Sequence, residues 1–252
     1  MICLLPGVIV GVVVALVLVA VGLPLVAAVS FIVVAGGLSL FLWRFAPGAV
    51  VRSVGGRPSD EQEHPRLHNL VDGLCATMGL PRPTICVVES PVPNAMALGR
   101  DPATAWLIVT SGLDRCLTLV ELEGVLAHEL VHVKRHDTVV SGVAVIAALP
   151  WTLVGGIAKG SYKVHSLIGR GREFSADQRA AGVVRYPPGI RSALDVMVDL
   201  PAAGASWPPG RGRTAALTRW LWIDPTIGLP AGRPVEGNLD DILVRAAALS
   251  LR

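Results

Sequence analysis

His128 and His132, four positions apart with Glu129 beside the first, are the residues whose types and spacing most directly suggest chemistry. On a helix, positions i and i+4 share a face, about 6 Å apart along the axis. Two imidazole nitrogens so placed can take one zinc ion at about 2.0–2.1 Å, with the Glu129 carboxylate next to the first ligand. His-Glu-x-x-His on a helix is the pattern of zinc-dependent peptide hydrolysis: two ligands, and a carboxylate that takes a proton from an activated water. The alternative is a surface helix that carries two histidines and an acid by chance. Leu119, Leu122, Val125, Leu126 and Leu130 weigh against it, because they give the helix an apolar face and imply burial. Charged and imidazole groups on a buried helix need partners, and a metal would satisfy them.

Catalytic zinc normally takes three protein ligands and keeps a fourth position for water. His136 is a poor third, since eight residues beyond His128 is about 12 Å along the axis; it reads as a helix-end residue interacting with terminal carbonyls. Glu173, in the stretch Arg170–Ala181, can supply the third ligand from a second helix. Asp177 lies one turn further on the same face, where it can accept a hydrogen bond from a ligand histidine and fix its tautomer. Ala176 is small enough to let the two helices approach closely. Taken in isolation, however, that stretch reads better as a charged, solvated helix.

The elements that must position these groups belong to a very apolar chain. With 252 residues, 52% hydrophobic residues and a mean hydropathy of +0.58, it is too apolar for an ordinary soluble domain. The net charge of +3 is small and no basic run with interleaved aromatics occurs, which disfavours a nucleic-acid partner. Cys3, Cys75, Cys86 and Cys116 lack Cys-x-x-Cys spacing, so reduced, mostly buried thiols are expected rather than a cysteine metal site or a disulfide framework.

Ile2–Trp43 is uncharged and long enough for two spanning helices, with Gly22-Leu23-Pro24 as the turn. The spacing predicts a two-helix transmembrane hairpin over 1–45, a linker over 46–58 and a zinc metalloprotease domain over 59–252. Arg44, Arg52 and Arg57 precede the first acid, Asp60, so the side after the hairpin faces the cytoplasm by the positive-inside tendency. A helix is expected to start at Ser59-Asp60-Glu61-Gln62 and to end at Gly79 and Pro81. Short strands are expected at 84–89, 94–98 and 104–110, and the helix of the histidines at about 118–137. A second apolar stretch, 138–158, is interrupted at Leu149-Pro150-Trp151 and again at Gly155-Gly156. It reads as a re-entrant or surface-packed helical hairpin, which keeps Glu173 on the side of His128 and His132. The fold class expected is α+β, mainly helical, with a small, mainly antiparallel sheet. An edge strand of such a sheet can hold an extended peptide through main-chain hydrogen bonds, although Asn94-Ala95-Met96-Ala97 by itself reads as an ordinary strand start.

Glu-x-x-Ala-Asp at 173–177, downstream of His-Glu-x-x-His, resembles the M48 family of zinc peptidases, with its HtpX-like and Ste24-like membrane branches. Pro93-Asn94-Ala95-Met96-Ala97 is similar to the family's Asn-Ala-Phe-Ala strand, with Met in place of Phe. Thr110-Ser111-Gly112-Leu113, Val125–Leu130 and the acid at Asp137 also match. The resemblance implies a zincin-type domain with one zinc ion held by His128, His132 and Glu173. It implies Glu129 as the catalytic base, Asp177 as support for a ligand, and Asn94, Ala95, Met96 and Ala97 as the substrate-binding strand. It further implies protein or peptide substrates, a multi-pass place in the cell membrane with the site facing the cytoplasm, and a role in membrane-protein quality control.

The sequence departs from the family in two places. Glu173 follows His132 after only 41 positions, and the family's His-Pro is absent from the region before Arg245, which reads Glu236-Gly237-Asn238-Leu239. Leu221–Pro225 and Arg245–Leu249 resemble the family's final elements. Arg245 is a candidate to donate to the oxyanion or to support a ligand. Pro187–Pro234, rich in Pro, Gly and Arg, reads as irregular surface or a lid. Trp207, Trp220 and Trp222 suit either a membrane interface or burial. Two other functions fit the same residues: a catalytically silent, zinc-stabilised membrane scaffold, in which Glu129 is dispensable, and a zinc hydrolase of non-peptide bonds. The oligomeric state is left open.

Overall fold

The computed structural model describes residues 5–149, 151–168, 171–199, 208–210, 212–225 and 242–249. Two apolar helices come first, α1 (Leu5–Ala20) and α2 (Pro24–Ser53). The turn between them falls at Gly22, whose φ of 81° suits glycine. Small residues let the two backbones meet: a Cβ on Gly7 would overlap the Ala35 carbonyl oxygen, and one on Gly11 would lie 3.2 Å from the Ala35 Cβ. Among the described residues α2 alone is long and apolar enough to cross a membrane; α1 is apolar but shorter.

The linker expected at 46–58 is largely helix. α2 continues through Ser53 despite Pro47, because Ala46, Pro47, Val50 and Val51 are buried in the domain that follows, and tertiary burial outweighs the local breaker. The helix expected from Ser59 begins later, as α3 (Pro65–Met78). Asp60 instead makes a turn, accepting from the Gln62 N–H at 2.7 Å, and Pro65 supplies the first helical turn.

The sheet is mixed, with two of its three strand pairings antiparallel. Its strands β1 (Arg57–Pro58), β2 (Thr84–Val88), β3 (Ala95–Leu98) and β4 (Trp106–Thr110) lie in the order β1-β2-β4-β3. The outer pairs are antiparallel, but β4 inserts between β2 and β3, so β2 and β4 run parallel. Sequence spacing says which strands exist, not which one is inserted. Alternation along the strands sends Ile85, Val87, Ala95, Leu107 and Val109 into one core and Cys86, Val88, Met96, Leu98 and Ile108 into another. Helices therefore cover both faces, which is why all these strands read as apolar throughout.

After α4 (Ser111–Cys116) comes α5 (Leu119–Lys134), the central helix of the first core. Its start is fixed by the Glu121 carboxylate, which accepts from the Thr118 N–H at 2.8 Å. Its end is fixed by His136, at φ 60°, with the Asp137 N–H donating to the His132 carbonyl at 3.1 Å. α6 (Thr138–Ala148) packs on α2, with the Gly142 backbone against Pro47. α7 (Trp151–Ile168) breaks at Gly155 and Gly156, as expected of this stretch, while Pro150 lies outside the described residues.

α8 (Arg172–Ala181), α9 (Pro188–Asp199), α10 (Gly212–Leu217) and α11 (Ile242–Leu249) complete the fold. α9 and α10 correct the reading of 187–234 as irregular. α9 buries Ile190, Ala193, Leu194 and Met197 at helical spacing against the first core, an apolar stripe hidden by the flanking prolines and glycines. Residues 200–207, 211 and 226–234 of that stretch, including Trp207, lie outside the described residues, as do Glu236-Gly237-Asn238-Leu239 and Cys3. Trp222 is buried and Trp220 half-buried, its indole N–H donating to Ser161 Oγ at 2.7 Å. Cys75 and Cys86 are buried and free, whereas Cys116 is exposed.

Candidate metal centre

α5 presents His128 and His132 on one face, and α8 brings Glu173 and Asp177 up to it. The two helices meet on small side chains: Ala127 and Ala176 are both fully buried in the same core. One turn before His128, on much the same face, α5 touches α9 so closely that a Cβ on Gly124 would stand 2.8 Å from the Ile190 Cα. That close approach of backbones hinders rotation of α5, and rotation is what would move the histidines.

Three donor atoms converge. His128 Nε2 is 2.9 Å from Glu173 Oε2, His132 Nε2 is 3.4 Å from the same oxygen, and the two Nε2 atoms are 3.2 Å apart. Donors about 2.0–2.1 Å from one tetrahedral centre stand about 3.3 Å from each other, so the residues fit a zinc ion. Their orientation fits as well. The His128 Nδ1–H donates to Asp177 Oδ1 at 2.7 Å, and His132 Nδ1 lies 3.3 Å from Asp137 Oδ2. Each ring thus has its Nδ1 side held by a carboxylate and its Nε2 turned to the shared point. Glu129 is buried beside them, its Oε1 4.0 Å from His128 Nε2.

The supporting groups are charged and dry. Arg245, with no exposed surface, donates from Nε to Asp177 Oδ2 at 2.6 Å and from Nη2 to Oδ1 at 2.8 Å. Its Nη1 donates to the Ile223 carbonyl at 2.6 Å. Arg172 donates from Nη2 to Glu173 Oε1 at 2.9 Å and from Nη1 to Ser141 Oγ at 2.8 Å, which leaves Oε2 as the oxygen facing the histidines. Arg172 and Ser141 were invisible as partners in the sequence, which offered Arg245 as a candidate to support a ligand or to donate to the oxyanion but did not say which group it would hold. The one available clue was that a buried cation requires a carboxylate.

Electrostatics follows from these pairs. Burial would raise the Asp177 carboxyl, but the Arg245 charge and hydrogen bonds hold it below its ordinary value. Burial likewise opposes ionised Glu173, yet His132 and Arg172 hold it well below the usual carboxylate range. For His128, burial disfavours the charged ring, but Asp177 and Glu173 together push it up to about 9. Glu129 is the exception: burial pushes its carboxyl up, against the histidines. A raised carboxylate suits a group that must accept a proton.

The four residues of the expected peptide-binding strand are not equivalent. The Asn94 side chain is spent on the chain itself, donating from Nδ2 to the Asp224 carbonyl at 2.8 Å and accepting from the Asp224 N–H at 3.2 Å. The Ala95 carbonyl accepts from the Ile223 N–H at 2.9 Å. Met96 pairs inward with Ile108, and its side chain joins the core behind the sheet. Ala97 remains, on the edge strand, with its main chain in the same outward phase as Ala95. His136 stands apart from the donors as expected, its backbone closing the end of α5.

The comparisons with known proteins agree with this geometry. The model of the family described as peptidase family M48 matches residues 61–221. Protease HtpX homologues are similar: 32% identical over 67% of this chain and 68% of the relative in Salinibacter ruber, and 35% over 65% and 66% in Tropheryma whipplei. That of Dictyoglomus thermophilum is 32% identical over 63% of this chain and 62% of its own length. The matched region thus spans about two thirds of these relatives. No solved structure gave a significant match. Since the matched region contains α5, α8 and all three convergent donors, the chain belongs to peptidase family M48.

Proposed function

We propose that the chain is a membrane-bound zinc endopeptidase. The observation that carries this reading is the convergence of His128 Nε2, His132 Nε2 and Glu173 Oε2 from two helices, with Glu129 buried alongside. A zinc ion held there by His128, His132 and Glu173 would supply Lewis acidity towards a scissile carbonyl and would bring the pKa of a water down towards about 7. The Glu129 carboxylate is placed to take a proton from the attacking water and to return it to the leaving amine. Asp177 and Asp137 keep the ligand rings in the tautomer that bares Nε2, and Arg245 holds Asp177 in place. Arg172 offsets the charge of Glu173 on the oxygen that faces away. The extended substrate pairs with the edge of β3 at Ala97, beyond the part that Ile223 and Asp224 occupy.

The exposed apolar surface of α1 and α2 supports a place in the bilayer, with Arg44, Arg52 and Arg57 setting the catalytic domain on the cytoplasmic side. A domain tied to the membrane by α2 reaches membrane proteins first, which suits quality control of such proteins. The test is cleavage of casein by the full chain in detergent. Wild type should cleave. Chelated enzyme and Glu129→Gln should lose about a hundredfold or more. Cleavage that survives both treatments overturns the reading.

A further inference from the structure

Asp177 and Asp137 each stand behind one of the two histidines, and each is itself met by an arginine, yet the two arrangements differ. Arg245 and Asp177 form a closed, buried fork. On the other side, Asp137 Oδ2, the oxygen 3.3 Å from His132 Nδ1, lies 3.3 Å from Arg135 Nε. The Arg135 side chain is 33% exposed and reaches past Asp137. Its Nη1 donates to Ser175 Oγ at 2.7 Å, and Ser175 lies on α8, two positions after Glu173. One side chain at the end of α5 therefore touches both the carboxylate behind His132 and the helix that carries Glu173.

We propose that Arg135 is a positioning residue of the metal centre. Through Asp137 it orients the His132 ring, and through Ser175 it holds α8 where Glu173 can share a point with the two histidines. The proposal rests on the zinc reading above. Glu173 follows His132 only after 41 positions of chain, so no short connection fixes α8 against α5. Ala127 and Ala176 let the helices come close, but apolar packing is not directional. Hydrogen bonds are, and two of them cross this gap in opposite senses. Arg172 of α8 donates to Ser141 of α6 at 2.8 Å, and Arg135 donates back to Ser175 of α8. The donor triangle of 2.9, 3.2 and 3.4 Å closes only while the two helices keep that relation.

The test measures zinc affinity by chelator competition on the full chain in detergent, alongside urea unfolding of the metal-free form. Arg135→Ala should weaken zinc binding about 10–100-fold. The urea midpoint of the metal-free chain should stay in place, because an ion pair at a partly exposed guanidinium adds little stability. Ser175→Ala should show part of the loss in affinity. In a chain that already carries Asp137→Ala and Ser175→Ala, Arg135→Ala should cost nothing further, since both of its partners are gone. The visible bands of cobalt(II), bound in place of zinc, should shift in Arg135→Ala as the donors rearrange. Wild-type affinity or wild-type cobalt bands in Arg135→Ala overturn the proposal. So does a further loss in the chain without Asp137 and Ser175, and so does a urea midpoint that falls in step with affinity, the mark of general damage. A wild type that takes up no zinc defeats the reading of the metal centre itself, whereas a wild type that binds zinc no better than Arg135→Ala defeats only the role of Arg135.

Discussion

Arg245 grips Asp177 with two parallel hydrogen bonds at 2.6 and 2.8 Å, both side chains essentially unexposed, across 68 positions of sequence. Asp177 in turn holds His128, so the helix at the end of the described chain acts on the metal centre through one carboxylate. Removing the guanidinium leaves the buried Asp177 carboxylate with His128 as its one remaining partner of those described. Arg245→Met should therefore cost about 3–5 kcal/mol of stability and about 10–100-fold in zinc affinity. Arg245→Lys keeps the charge but not the fork, and should recover only part of each. Urea unfolding and zinc titration of the detergent-solubilised chain measure both.

The proton at His128 gives a pH signature. Its pKa in the folded, metal-free protein is about 9, above the ordinary 6.5. A raised pKa stabilises the folded state fully below the unfolded value and loses that contribution as pH rises through the folded one. Metal-free protein should thus become less stable between about pH 6.5 and 9, while zinc affinity rises over the same window as the competing proton leaves. Calorimetry in buffers of different ionisation enthalpy should record proton release on zinc binding near neutral pH. Zinc uptake without proton release contradicts this.

The contact of α5 with α9 predicts a steep penalty at Gly124. Gly124→Ala places a methyl group 2.8 Å from the Ile190 Cα, where backbone must move, and should cost about 1–3 kcal/mol. Thermal unfolding reads the loss. Zinc affinity should fall with it, because any shift of α5 moves both histidines.

The side chain of Asn94, in the strand expected to bind substrate, is hydrogen-bonded to the Asp224 main chain. Asn94→Ala leaves the Asp224 carbonyl and N–H without that partner in a buried place, and should destabilise the chain by about 1–3 kcal/mol. A role confined to substrate would instead raise KM at unchanged stability. Kinetics and unfolding on one preparation tell the two apart.

How much of this was legible in the sequence depends on range. His128, Glu129 and His132 lie within about one helical turn, so local spacing revealed them. Glu173 and Asp177 were legible as an i, i+4 pair, though nothing local separates a ligand helix from a solvated one. What escaped were relations between distant segments. Arg245 on Asp177, Arg172 on Ser141 and Asp224 on Asn94 each join groups far apart in sequence. Insertion of β4 beside β2 is of the same kind. α2 through Pro47 and α9 among prolines were missed because burial overrode local breakers.

The central claim is that one zinc ion is held jointly by α5 and α8. X-ray absorption at the zinc edge of the full chain, loaded with one equivalent, tests it most directly. Wild type should show only nitrogen and oxygen neighbours at about 2.0–2.1 Å with two imidazoles, and Glu173→Gln should weaken binding with the imidazole signal retained. A sulfur shell near 2.3 Å, or a zinc environment unchanged by Glu173→Gln, would contradict the account.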